Sequence, residues 1–166
     1  MKRTTNPIPK RPVLALCLTA SASLLTGCFS SPKPPTFKVV DVAVTDRSAE
    51  GLVVTITVEG TNPNKDPIPL DDVSYSLNLE GRPPLSTTRY AGAELPAHGT
   101  RLVRLPIALP VSASAPEPTA QSDYRFSATM LYRVPGSIAE FFFDTGVRRP
   151  SVGFAESGTM DFSGAR

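Results

Sequence analysis

Cysteine, tryptophan and histidine are almost absent from this chain of 166 residues. It has two cysteines, no tryptophan and a single histidine, His98. One imidazole provides neither a histidine-rich metal site nor the partners of a nucleophilic triad. Cys17 and Cys28 are the two cysteines, so the chain beyond residue 28 contains no thiol for a disulfide. A hydrophobic core must therefore stabilise that part, and about 130 residues are enough to form one.

The patterns that carry enzyme chemistry are also missing. We find no Gly-x-Ser-x-Gly elbow, phosphate-binding loop, calcium-spaced carboxylates or zinc cluster. There is no basic stripe and no helix-turn-helix or RNP-type pattern that would predict nucleic-acid binding. We therefore expect no cofactor, no metal ion, no nucleic-acid partner and no enzyme activity.

A basic start and a short apolar run are typical of a secretory signal peptide. Four basic residues come first, at Lys2, Arg3, Lys10 and Arg11. The apolar run that follows, residues 13–25, is too short to span a bilayer stably. It ends in a lipobox made of Leu25, Thr26, Gly27 and Cys28. We predict that residues 1–27 are a lipoprotein signal peptide and that the Cys28 thiol is alkylated by a diacylglyceryl group.

Two other interpretations of the leader stay open, namely an ordinary signal peptide with a chance cysteine and a buried apolar segment. If the leader is removed, 13 basic and 15 acidic residues remain, a net charge of −2 with His98 neutral. Lipoproteins held at the inner membrane commonly carry Asp after the cysteine, whereas Phe29 stands here. We therefore predict a lipid-anchored protein of the bacterial cell envelope, on the outer membrane and facing the periplasm.

The rest of the chain alternates apolar and polar residues, which predicts half-buried β-strands. Residues 28–35 are rich in proline and predict a tether that neither packs nor pairs. About seven strands are expected between residues 36 and 166, at residues 37–44, 52–59, 73–80, 87–91, 101–109, 124–134 and 152–162. Only residues 138–143 offer a competing helical turn, and residues 111–122 predict a long surface loop. The pattern predicts an all-β, antiparallel β-sandwich.

Two connections between these strands resemble a known family. The first contains Asn62, Pro63 and Asn64, and the second contains Leu95, Pro96, Ala97, His98 and Gly99. With the strand sequences around them, they are similar to the type 2 late embryogenesis abundant family, also called the water-stress and hypersensitive-response domain. The resemblance covers about residues 35–162. It implies an immunoglobulin-like or fibronectin-like sandwich and a role in desiccation or stress.

Turn chemistry alone explains much of the first segment. Pro63 fixes its own φ and moves Asn62 out of the helical region, while both asparagine side chains can bond nearby backbone groups. We therefore expect Asn62 and Asn64 to form a strand exit and corner, with a ligand or partner contact as the alternative. His98 is expected to be a turn residue.

Asp144, Thr145 and Gly146 follow three phenylalanines and resemble the catalytic segment of retroviral-type aspartic proteases. Such enzymes share a proton between two carboxylates, so a single copy requires a homodimer. Only 20 residues follow Gly146, and Val147 replaces the small residue usual at that position. We expect this segment to be a turn.

Three hypotheses about the function remain, each from a different class of protein. The leading hypothesis is a non-enzymatic, lipid-anchored protein that protects against desiccation or envelope stress. Its partners would be the membrane, through the lipid on Cys28, and client proteins or envelope components. The alternative is an adaptor or ligand-binding module that the lipid merely localises, and the remote third is an aspartic protease. Because the chain is 40% hydrophobic, protection by an unfolded coil is not expected.

Overall fold

A computed structural model describes residues 32–111, 118 and 121–163. The predicted signal peptide, the predicted lipobox and most of the 111–122 connection lie outside these residues. In chain order the elements are β1 (Thr36–Arg47), β2 (Gly51–Thr61), β3 (Ile68–Leu79), β4 (Leu85–Tyr90), β5 (Glu94–Leu95), β6 (Thr100–Pro110), β7 (Gln121–Tyr132), α1 (Ser137–Asp144) and β8 (Ser151–Asp161).

The strands form two sheets, and every strand pair is antiparallel. The first sheet has the order β1-β2-β6. The second has the order β4-β3-β7-β8, and β5 also pairs with β3. This arrangement confirms the predicted all-β sandwich.

Alternation within the strands explains why the two sheets stack. Successive side chains of a strand point to opposite faces, so one face can be apolar throughout. In β2 the side chains of Val54, Ile56 and Val58 are fully buried, while Thr55 and Thr57 between them are partly exposed. The same period buries the inner residues of β3, β6 and β7, including Val73, Leu77, Leu105, Leu109, Phe126 and Met130. These faces form one hydrophobic core.

Individual side-chain contacts also join the two sheets. The Tyr75 hydroxyl on β3 donates a hydrogen bond to the backbone carbonyl of Pro106 on β6. At the opposite edge, Phe37 of β1 stacks on Phe154 of β8 with ring centroids 5.2 Å apart. Pro106 is tolerated because β6 is an edge strand, in which alternate backbone N–H groups have no ladder partner.

The structure corrects several details of the predicted elements. The described residues form eight strands, in line with the expected number of about seven, and the additional short strand β5 pairs with the start of β3. β3 begins at Ile68, five residues earlier than predicted. The competing helical turn at 138–143 is a real helix, α1, of eight residues.

The prediction that the proline-rich tether makes no contacts is wrong for its described part. Pro35 is buried, and the backbone N–H and C=O groups of Lys33 both bond to the Asn64 side chain. The chain is therefore fixed on the sandwich from Lys33 onward, three residues before β1 begins.

The strand registers show which connections share an end of the sandwich. In the first sheet, Thr61 at the end of β2 lies opposite both Thr36 and Thr100, where β1 and β6 begin. In the second sheet, β7 ends and β8 begins at the same point, where Leu131 lies opposite Ser151. The Phe37–Phe154 stack brings the starts of β1 and β8 together. We call this the entry end, since the chain enters there, and α1 connects two of its strands.

Candidate functional site

The first segment of the family resemblance forms a buried corner around Asn62. This side chain is only 1% exposed. Its Nδ2 donates to the backbone carbonyls of Asp66 at 2.9 Å and Pro96 at 3.1 Å, with Leu95 at 3.4 Å. Its Oδ1 accepts from the backbone N–H of Asn64 at 2.9 Å. The amide therefore satisfies backbone groups from two separate loops in a place that water does not reach.

Asn64 extends the corner to the incoming chain. Its Oδ1 accepts from the backbone N–H of Lys33 at 2.8 Å, and its Nδ2 donates to the Lys33 carbonyl at 2.8 Å. This pair of bonds imitates the pairing of a β-strand, with a side-chain amide in place of a second backbone. Nδ2 also donates to Asn62 Oδ1 at 3.0 Å, so the two asparagines are linked directly.

The second segment closes the corner from the other side. The backbone N–H of Asn62 donates to the Gly99 carbonyl at 2.9 Å, and that of His98 donates to the Asn64 carbonyl at 2.8 Å. A turn links Pro96 to Gly99, and within it His98 has a φ of 48°, in the left-handed region. Gly99 lies against the Pro96 ring, where a Cβ would come within 2.8 Å of Pro96 Cγ.

These contacts decide what chemistry the corner can perform. The polar atoms of the Asn62 side chain are all engaged with protein groups, so this residue offers nothing to a ligand. His98 lies in the turn as expected, between Ala97 and Gly99. The exposed residues of the corner are Pro63 and the neighbouring Lys65, Asp66 and Pro67, together with Pro96, Ala97 and His98 in the turn that closes it.

Asp144 lies at the last position of α1 rather than within a turn, and Thr145 and Gly146 form the turn after it. Its Oδ1 accepts from Arg133 Nη1 at 2.7 Å, and the same guanidinium contacts Asp71 Oδ2 at 3.0 Å. The hydrogen bond that Arg133 donates to Asp144 has the largest effect and raises the pKa of Arg133; burial lowers that pKa, and the bond donated to Asp71 raises it again. Asp144, whose sequence context resembles that of a protease catalytic aspartate, is therefore part of an ion-pair cluster with Arg133 and Asp71.

Sequence reasoning missed this cluster. The Arg133 guanidinium also lies 4.4 Å from the centroid of the buried Phe143 ring, and that of Arg149 lies 5.6 Å from it. A guanidinium over an aromatic face gains a cation–π attraction. The sequence signal that could have predicted it was an arginine just after β7 and another just before β8, one on each side of an aromatic run.

Hydroxyl groups cover part of the outer face of the second sheet. Ser74 on β3 pairs with Thr88 on β4 at 2.9 Å, and Ser76 pairs with Ser127 on β7 at 2.9 Å. Cross-strand hydroxyl pairs of this kind stabilise a sheet. They line a shallow open groove together with Ser86 and Thr129.

Comparison with protein families identifies the chain. Residues 57–154 match the family model described as late embryogenesis abundant protein, LEA type 2, which covers more than half of the sequence. The chain belongs to this family. LEA type 2 membership associates it with stress and desiccation, without specifying a mechanism.

Solved structures agree on the fold of this LEA type 2 chain. The solution structure of another late embryogenesis abundant protein superposes with a TM-score of 0.60 at 19% identity, over 78% of this chain and 71% of that one. The solution structure of an Arabidopsis thaliana protein gives 0.59 at 15% identity, over 84% and 89%. Identities this low establish a common fold only. A search of curated protein sequences finds no match.

Two further observations concern only the part of the chain that the structure describes. It contains no helix of the length and apolar character needed to cross a membrane. It also contains no group of three or more His, Cys, Asp or Glu residues arranged to hold a metal ion. The lipobox residues Leu25, Thr26, Gly27 and Cys28 lie outside it, so their role stays a prediction.

Proposed function

We propose that this protein is a non-enzymatic, lipid-anchored member of the LEA type 2 family that protects the bacterial envelope during desiccation or envelope stress. The observation that carries the proposal is the family match in a chain whose described residues fold as a β-sandwich. Because the sandwich is folded, it cannot protect as a disordered, water-retaining chain would. We therefore infer that it acts by direct contact with proteins or membrane.

The positions of the titratable groups favour this over catalysis. His98 lies in a turn beside the corner, and Asp144 is paired with Arg133. Among the described residues, Asp144 and Asp71 are both bonded to the Arg133 guanidinium rather than arranged around a shared proton. The hydroxyl-covered groove and the exposed apolar side chains of the entry end are instead surfaces suited to contact.

A drying assay tests the protective role. A desiccation-sensitive enzyme is dried with the purified folded unit, residues 32–166, and its activity is measured after rehydration. We expect more recovered activity than with an equal mass of an unrelated β-sandwich protein. Equal recovery in the two samples would contradict protection. Capture of a single defined envelope component without any protection would support the adaptor alternative.

The lipid anchor is tested separately. Cys28→Ala removes the thiol that would be alkylated, so the variant should appear in the soluble fraction or as unprocessed precursor. Buried acyl methylenes contribute about 0.8 kcal/mol each, which makes anchoring by several chains durable. Cys17→Ala, within the predicted leader, is the matched control and should be processed and anchored normally. A processed Cys28→Ala protein that still fractionates with membranes would contradict the anchor.

A further inference from the structure

α1 presents an apolar stripe to solvent. Ile138, Phe141 and Phe142 are exposed by 72%, 63% and 40%, and Val147 just beyond the helix by 72%. Residues three and four apart share a helix face, so the three helical side chains form one stripe. We call these four residues the α1 stripe.

The stripe is distinct from the faces that the helix uses for packing and for charge. Phe143, one residue further round, is buried beneath the guanidinium of Arg133. Glu140 and Asp144, four residues apart, lie on a third face, and Asp144 is paired with Arg133. The stripe is therefore not needed to hold the helix on the sheet. Large apolar groups gathered on a surface and not used for packing indicate an interaction site.

The path of the incoming chain indicates what lies opposite the stripe. Lys33 is fixed at the entry end by its two bonds to Asn64, and α1 joins β7 to β8 at that same end. Cys28 is five residues before Lys33, and a segment of this length spans at most about 18 Å at full extension. A lipid on Cys28 would therefore hold the bilayer next to the end of the sandwich that carries the stripe.

We propose that the α1 stripe is a second membrane contact, inserting its aromatic and aliphatic side chains into the interfacial region of the bilayer. This inference rests on the lipid anchor of the proposed function. Phenylalanine and aliphatic groups bury readily at the headgroup and acyl boundary. Arg148, which follows Val147, is exposed, and its long side chain can reach lipid phosphates. With a net charge of −2 after residue 27, apolar insertion and not long-range attraction carries the binding.

The test uses the folded unit, residues 32–166, which contains every residue of the hydrophobic core and no cysteine. Val147→Cys is labelled with an environment-sensitive dye and mixed with vesicles of phosphatidylethanolamine and phosphatidylglycerol. We expect a blue shift that persists in high salt and is quenched by spin-labelled lipid. A matched label at Leu102→Cys, 55% exposed on β6, should show neither effect.

A double variant supplies the second readout. Ile138→Ser with Phe141→Ser should lower the vesicle partition coefficient at least about tenfold, because two large apolar groups are lost from the contact. Leu102→Ser should leave the coefficient unchanged. The circular dichroism of both variants should match the parent, since the replaced side chains are exposed.

Several results would overturn the inference. These are absence of vesicle binding, binding that high salt abolishes, equal binding by the double variant, or a blue shift at Val147 that arises without lipid through self-association. None of them depends on processing at Cys28. The vesicle experiments test only whether the α1 stripe binds membrane. The fractionation of Cys28→Ala tests only the lipid anchor, so the two proposals can fail independently.

Discussion

Asn62 is the residue on which most of the entry-end loops converge. Its side chain bonds to Asp66, Pro96 and Asn64 while being 1% exposed. A buried polar group left without its partner costs more free energy than an ordinary hydrogen bond contributes. The corner is therefore a place where a small change of side chain has a large effect on stability.

We predict that Asn62→Ala lowers the free energy of unfolding by about 2 kcal/mol, because backbone groups of two loops lose their partner in a dry site. Denaturant unfolding measures it. Asn78→Ala, an exposed asparagine on β3, is the matched control and should change stability by less than about 0.5 kcal/mol. An unchanged midpoint for Asn62→Ala together with lost protection would instead make this corner a contact site.

Asn64 has a different role, because its bonds hold the entering chain. We predict that Asn64→Ala speeds hydrogen exchange at the Lys33 amide, whose N–H now bonds to Asn64 Oδ1, while core amides of β2 exchange as before. Hydrogen exchange followed by NMR measures both. Equal hydrogen-exchange protection of the Lys33 amide in the variant and the parent would show that Asn64 does not hold the entering chain.

At the scale of elements, the pairing of β1 with β2 depends on a glycine. Gly60 lies opposite Phe37, and a Cβ there would come within 2.8 Å of both the Phe37 ring and the Leu95 side chain. The missing side chain lets the aromatic ring cover the strand. The edge strand β1 also carries irregular register at two points, a feature that discourages pairing with other chains.

We predict that Gly60→Ala destabilises the protein by about 1–3 kcal/mol through overpacking. Thermal or denaturant unfolding measures the loss. Gly153→Ala on β8 is the control, since the nearest atom to its Cβ would be 3.9 Å away. That variant should be neutral or slightly stabilising. Equal losses in the two variants would show that the close approach at Gly60 is unimportant.

At the scale of the whole molecule, the two sheets are joined through their cores and through Tyr75. Burial raises the pKa of Tyr75 above its ordinary value of 10.0, and a nearby Arg89 opposes the shift. Burial also raises the pKa of Tyr124 and of Tyr132. In the unfolded chain these phenols ionise near pH 10, whereas in the folded chain they retain their protons.

The folded state therefore binds more protons than the unfolded state above about pH 10, and its stability must fall as pH rises. We predict a decline in the free energy of unfolding as the pH rises above that value. Tyr75→Phe should lose about 1 kcal/mol at neutral pH, since the Pro106 carbonyl loses its donor, and should decline less steeply in alkali. Tyr90→Phe, at an exposed ring, should match the parent at neutral pH. A steeper alkaline decline for Tyr75→Phe would contradict this account.

Local pattern determined much of this protein. Alternation with a period of two is a property of neighbouring residues, so it predicted which faces of β2, β3, β6 and β7 are buried. The turn at His98 and the family assignment also followed from short segments. The lipobox rests on the sequence alone, because residues 25–28 lie outside the described part of the chain.

Only the tertiary structure decided the rest. The bonds between Asn64 and Lys33 join residues 31 positions apart, and those between Asn62 and Pro96 join residues 34 apart, so no local pattern contains them. α1 has only eight residues, too few for a helical repeat of apolar residues to predict it from sequence. Its position depends on Phe143 packing beneath Arg133 and on the Arg133–Asp144 ion pair. The apolar stripe became visible only when that packing showed which side of the helix is left in solvent.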